Sequence, residues 1–127
     1  MSARYATAIN CIDGRTQLPV IEWIRERCVV DYVDMINEAG VDRVVAEGVN
    51  KLLVKSIRRK VRISVDRHRS KLIAIVGHHD CVGNKADKSV HIAQIRAAIS
   101  VIESWRYGVR VIGLWVDERW IVHETVV

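Results

Sequence analysis

The chain has 127 residues, half of them apolar and 28% charged, with a formal net charge of +5. That length predicts a single domain over residues 1–127, large enough to bury a core without disulfides. No apolar run approaches the roughly 18 residues needed to cross a bilayer, and the first residues lack the hydrophobic stretch and small-residue cleavage pattern of a secretory signal, so a cytoplasmic protein without a membrane span is expected.

Tyr5 to Asn10 predicts a short strand, closed by the turn signal Asp13-Gly14. Leu18 to Arg27 predicts a helix, with Pro19 tolerated in its first turn and Leu18, Ile21 and Ile24 (or Trp23) on one side. Tyr32 to Ile36 predicts a second strand and Gly40 a loop. From Val49 to His68 the positions Val54, Ile57, Val61 and Val65 follow a helical stripe. Leu72 to Val76 is continuously apolar, as in a parallel strand covered on both faces. Lys88 to Trp105 predicts a helix with Ile92, Ile95, Ile99 and Ile102 inward, and Val109 to Val116 a fourth strand. The fold class is therefore α/β: a mainly parallel four-stranded sheet flanked by helices. Trp120 to Val126, after an Asp117-Glu118 turn, can add a fifth, antiparallel edge strand.

The candidate chemistry sits where these strands end. Cys11 follows the first strand and His78 the third, which places both on the carboxyl edge of the sheet, where open α/β sheets bind their ligands. Cys81 follows His78 by three residues, close enough for a tight turn to bring both to one ion. Two thiolates and an imidazole make three ligands, and a catalytic zinc keeps three protein ligands and an open position, whereas a structural zinc takes four. Thiolate-rich ligation favours Zn2+ over harder ions.

Cys11-x-Asp13-x-Arg15 and Gly77-His78-x-x-Cys81 resemble the two motifs of the β-class carbonic anhydrases, and the order of elements from Ala6 to Val116 extends the resemblance. It implies Cys11, His78 and Cys81 as zinc ligands and Asp13 with Arg15 as a hydrogen-bonded catalytic dyad. It also implies reversible hydration of carbon dioxide to bicarbonate by zinc-bound hydroxide, and a dimer as the basic unit. In that family the counterpart of Asp13 either accepts a hydrogen bond from the zinc-bound water or swings in as the fourth ligand. The family's Arg-Asn-Ala-Gly stretch stands here as Asn37-Glu38-Ala39-Gly40, its Gly-Gly after the second cysteine as Val82-Gly83, and there is no phenylalanine. Two alternatives stand beside the carbonic anhydrase: a hydrolase of another small linear molecule, such as carbonyl sulfide or carbon disulfide, and a non-catalytic zinc protein that serves assembly.

Of the remaining candidates, Cys28 reads as a core residue, and His68, His91 and His123 as surface or capping residues without partner spacing. His79 and Asp80 point away from a metal held by His78 and Cys81, and Glu38 approaches the pocket only if its loop matches the family's. Residues 51 to 71 carry nine cations against Asp66 alone. Without interleaved aromatics or a base-reading motif, that run reads as a solvated helix face rather than a nucleic-acid surface, with acidic groups of another subunit as an alternative partner. Trp115, Trp120, Ile121, Val122, Val126 and Val127 give the C-terminal segment more apolar surface than an edge strand should expose, which predicts a homodimer or higher homo-oligomer.

Overall fold

The alternation of short apolar runs with amphipathic ones produces a sheet with helices on both faces, in a computed structural model that describes residues 2–125. The strands are β1 (Tyr5–Asn10), β2 (Tyr32–Asn37), β3 (Leu72–His78), β4 (Arg110–Val116) and β5 (Val122–Glu124). The helices are α1 (Gly14–Arg27), α2 (Val41–Glu47), α3 (Lys51–His68) and α4 (Lys88–Ser104). The sheet order is β2-β1-β3-β4-β5, parallel throughout except for β5, which runs antiparallel to β4. Among the described residues no helix is long and apolar enough to cross a membrane.

Side chains alternate across the strands, so each face of the sheet builds its own core. Ile9, Ile73 and Ile75 face α2, α3 and α4 and meet Val41, Val45, Ile57, Val61, Ile95 and Ile99. Ala6, Ala8, Leu72, Ala74 and Val76 face α1 and meet Val20 and Ile24. Every residue of β3 is buried, as its unbroken apolar sequence predicts.

Several elements differ from expectation. Helix α1 begins at Gly14 rather than Leu18 because the Asp13 carboxylate caps it, accepting the Arg15 N–H at 2.9 Å; its buried face is Thr16, Val20 and Ile24, and Leu18 is exposed. Helix α2 follows the expected loop at Gly40 and has no counterpart among the predicted elements: it has seven residues between Gly40 and Gly48, both left-handed. Gly40 has no substitute, since a Cβ there would lie 2.4 Å from the Gly83 carbonyl oxygen. Strand β3 continues to His78, which becomes its last residue. Strand β5 is only three residues long, and Val126 lies outside the described residues.

The C-terminal apolar segment is less exposed than the sequence suggests. Trp115 is buried in the core and Trp120 and Val122 pack against the α1-side core, while Ile121 remains exposed. Trp120, with φ +62°, belongs to the turn and not to the strand. Asp117 organises that turn: Oδ1 accepts the N–H groups of Arg119 (2.8 Å) and Ile121 (3.0 Å), and Oδ2 pairs with His123 Nε2 at 2.7 Å. His123, with those amides, holds the Asp117 carboxyl down from 3.8 to about 2. A carboxyl lowered on folding adds stability above its unfolded pKa and loses it as pH falls through the folded one. Amide protection in residues 117–124, taken relative to intrinsic exchange at each pH, should therefore fall between about pH 4 and pH 2, and Asp117→Asn should remove that pH dependence.

Candidate metal centre

Three buried side chains meet at the carboxyl edge of the sheet. Strand β1 delivers Cys11 one residue past its end, and β3, its neighbour, delivers His78. Asp80, left-handed at φ +56°, then reverses the chain so that Cys81 returns to the same point. The three ligand atoms lie within 4.8 Å of one another. The two sulfurs are 3.9 Å apart, far beyond the bonding distance of about 2.05 Å in a disulfide. Their separation is near the roughly 3.8 Å edge of a tetrahedron with metal–sulfur bonds of about 2.3 Å.

The histidine shows what this cluster lacks. His78 Nδ1 donates to the His79 carbonyl at 2.7 Å, an acceptor that fixes the proton on that nitrogen. Nε2 is buried with no hydrogen-bond partner. A ring oriented by a carbonyl on one nitrogen, with a buried lone pair on the other, is the usual state of a metal-ligating histidine. The residues present therefore fit a metal ion.

The thiols are electrostatically unequal. Donation from Cys81 holds Cys11 well below the usual thiol range, with His78 and the Gly40 and Asp13 amides assisting against burial. The same contact with Cys11, together with burial, pushes Cys81 up, although the Gly83 and Asn84 amides oppose it. Burial alone would lower His78, yet the neighbouring Cys11 sulfur and the His79 carbonyl raise it. A divalent cation removes the conflict by taking both sulfurs as thiolates.

Asp13 and Arg15 form the neighbouring feature. Arg15 grips Asp13 through two parallel bonds, Nη2 to Oδ2 at 2.7 Å and Nε to Oδ1 at 3.1 Å. This pairing holds the Asp13 carboxyl down to about 2 and raises Arg15. Because Arg15 is half-exposed, the pair fixes orientation far more than it adds stability. Asp13 thus faces its arginine and is not part of the three-residue cluster.

Residues 1–126 match the family described as "Putative carbonic anhydrase". The chain belongs to this carbonic anhydrase family. Its fold is similar to that of β-carbonic anhydrase isoform I from the protozoan Trichomonas vaginalis, at 14% identity and a TM-score of 0.66, over 97% of this chain and 83% of that one. It is also similar to a structure from work on two tetrameric β-carbonic anhydrases of the ascomycete Sordaria macrospora, at 16% identity and a TM-score of 0.57, over 100% and 83% of the two chains. No curated protein matches in sequence.

Within this carbonic anhydrase family member, all five residues singled out from the motifs lie on one edge, divided into the cluster of three and the ion pair beside it. Cys28 packs against the α1-side core, as expected. Asp80 is exposed but reaches Arg15 Nη1 at 3.3 Å, and His79 contributes its carbonyl to His78. Glu38 gives its backbone N–H to Asn10 and stays outside the cluster. His68 pairs with Asp34 at 2.7 Å on the surface, and the cations of α3 are exposed.

His91 corrects the sequence reading. It is 1% exposed, with Nδ1 at 2.5 Å from Asp42 Oδ2, and its partner lies on the helix that sequence reasoning did not find. Sequence reasoning also missed Gln17 and Asn37, whose amides both donate to the Cys11 carbonyl at 2.9 Å. It gave Trp120 no role at the centre, although its ring covers Arg15. Only the polar identity of Asn37 at the end of a strand pointing to this edge offered a signal.

Proposed function

We propose that this protein catalyses the zinc-dependent reversible hydration of carbon dioxide to bicarbonate. The observation that carries the reading is a buried set of three soft donors, including an unpartnered imidazole nitrogen, beside a carboxylate that Arg15 keeps for itself. Cys11, His78 and Cys81 would hold zinc, which supplies a Lewis acid able to bring the pKa of a coordinated water toward neutrality.

The chain's own groups supply the rest. Asp13, ionised throughout the neutral range, accepts a hydrogen bond from the attacking water and orients it. Arg15 fixes the carboxylate by the bidentate grip, so that its free lone pairs face one way. Two thiolates donate more charge than imidazoles do, which shifts the working range to higher pH. Gln17 and Asn37 brace the backbone that carries Cys11. The three free thiols suit a reducing compartment, for which the cytoplasm is proposed. A homo-oligomer is proposed as well: Ile12 and Val82, the neighbours of Cys11 and Cys81, stand exposed at this edge, and the Sordaria macrospora relatives are tetrameric.

Stopped-flow carbon dioxide hydration on protein of verified zinc content should show zinc-dependent turnover, greater near about pH 9 than near about pH 7. No turnover at either pH, with zinc fully bound, would overturn the proposal. Release of hydrogen sulfide from carbonyl sulfide or carbon disulfide would then identify a hydrolase, and inertness toward both a protein of assembly.

A further inference from the structure

Trp120 plays no part in the Cys/His/Cys cluster, yet it is built into the centre with unusual care. The Arg15 guanidinium carbon lies 4.3 Å from the centroid of its ring. The His78 ring is tilted 46° to it at 6.4 Å. Its backbone is left-handed, with φ +62°, a conformation that a bulky side chain adopts only when its surroundings impose it. The turn imposes it here: the Trp120 N–H bonds to the Asp117 carbonyl at 2.9 Å, and the Asp117 carboxylate ties down the amides on either side, of Arg119 and Ile121.

The same guanidinium meets a second strained residue. Asp80, with φ +56°, places its carboxylate 3.3 Å from Arg15 Nη1 and its carbonyl 3.3 Å from Nη2. Among the described residues five non-glycine positions have positive φ, and two of them converge on Arg15. Backbone strain persists where it serves a fixed geometry. Arg15 needs such help. It is half-exposed, and an exposed arginine–carboxylate pair is too weak to keep a carboxylate from a nearby divalent cation. A flat aromatic face removes that freedom by stacking on the planar cation.

We infer that Trp120, held by the Asp117 turn, is a positioning residue that pins the Arg15 guanidinium on Asp13 and thereby keeps the Asp13 carboxylate beside the metal and out of its coordination sphere. The inference rests on the proposed metal-dependent hydration, and its test reads the metal directly. Cobalt(II) alone, loaded in place of zinc, reports its ligands through its visible absorption bands. In Trp120→Met the bands should change as the carboxylate enters the coordination sphere, and Asp13→Asn added to that variant should restore them. Trp120→Tyr, which retains an aromatic face, should keep the wild-type spectrum. Asp117→Ala, which loosens the turn and leaves the ring intact, should reproduce the change and serves if Trp120→Met does not fold.

In the zinc form, kcat/KM for carbon dioxide should fall about 10–100-fold in Trp120→Met and largely recover in Trp120→Tyr. A wild-type cobalt spectrum in folded Trp120→Met, or in Asp117→Ala if the former does not fold, overturns the inference whatever the activity. A changed spectrum in a protein whose wild type hydrates no carbon dioxide leaves the inference standing and rejects the proposed reaction instead.

Discussion

Replacing Cys81 by serine is expected to strip the protein of its metal: zinc content should fall from about one ion per chain to a small fraction. The cluster has only three donors, and each is buried where water cannot easily substitute. Loss of an outer-shell partner weakens metal binding by roughly 10–100-fold, and loss of a ligand should exceed that. The serine hydroxyl is no replacement, being a poor donor to zinc and protonated at neutral pH. Metal bound to the native state alone also adds stability, about 4 kcal/mol at a thousand times Kd. A chelator should therefore lower Tm in the wild type and leave Cys81→Ser unmoved. Cys28→Ser is the control, because that thiol packs against the α1-side core and lies outside the cluster of Cys11, His78 and Cys81. Elemental analysis and chelator competition check both variants. Full zinc occupancy in Cys81→Ser would remove Cys81 from the metal set.

The parts of this molecule that were legible in the sequence are those where one physical cause acts alone. Strand β3 could be read because burial on both faces leaves no room for a polar residue. Helices α3 and α4 could be read because one face packs and the other is solvated: Ile57 and Val61, then Ile95, Ile99 and Ile102, are buried at helical spacing. The cluster could be read because topology brings the ends of neighbouring parallel strands together whatever lies between them in sequence. Where two causes compete the reading failed. Asp13-Gly14 is a turn signal and also an N-cap followed by a first helical residue, and the cap prevailed. Helix α2 is too short for its period to show, and it stands by packing on α4. Trp120 reaches Arg15 only after the whole sheet has formed, so nothing local in either segment announces the contact.

Substitution of Asp42 by alanine is the change expected to cost most in folding. Asp42 is 1% exposed and its carboxylate is fully engaged. Oδ1 accepts from Asn84 Nδ2 at 3.0 Å and from the Arg43 N–H at 2.9 Å, and Oδ2 pairs with His91. Asn84 also donates to Gln94 at 2.6 Å, so residues from α2, α4 and the loop after Cys81 share one buried polar network. Removing a member of such a network strands its partners away from water, which costs about 3–5 kcal/mol. Asp42→Ala and His91→Ala should each lower the urea midpoint accordingly. The double variant should fall short of the sum by about 0.5–3 kcal/mol, since the second substitution removes a group already stranded.

The network also explains a glycine in the metal-binding motif. A Cβ on Gly77 would lie 2.6 Å from Asp42 Oδ2, so the residue before His78 must be glycine for the carboxylate to reach its partners. Asn84 links this cluster to the centre, because its backbone N–H bonds to the Cys81 carbonyl at 3.3 Å and, with that of Gly83, lies beside the Cys81 sulfur. Asp42→Ala should therefore weaken zinc binding as well as folding, measured by chelator competition on protein kept below its unfolding midpoint. Single-variant losses under about 1 kcal/mol, with zinc affinity unchanged, would mean that the buried pair braces neither the fold nor the metal-bearing loop.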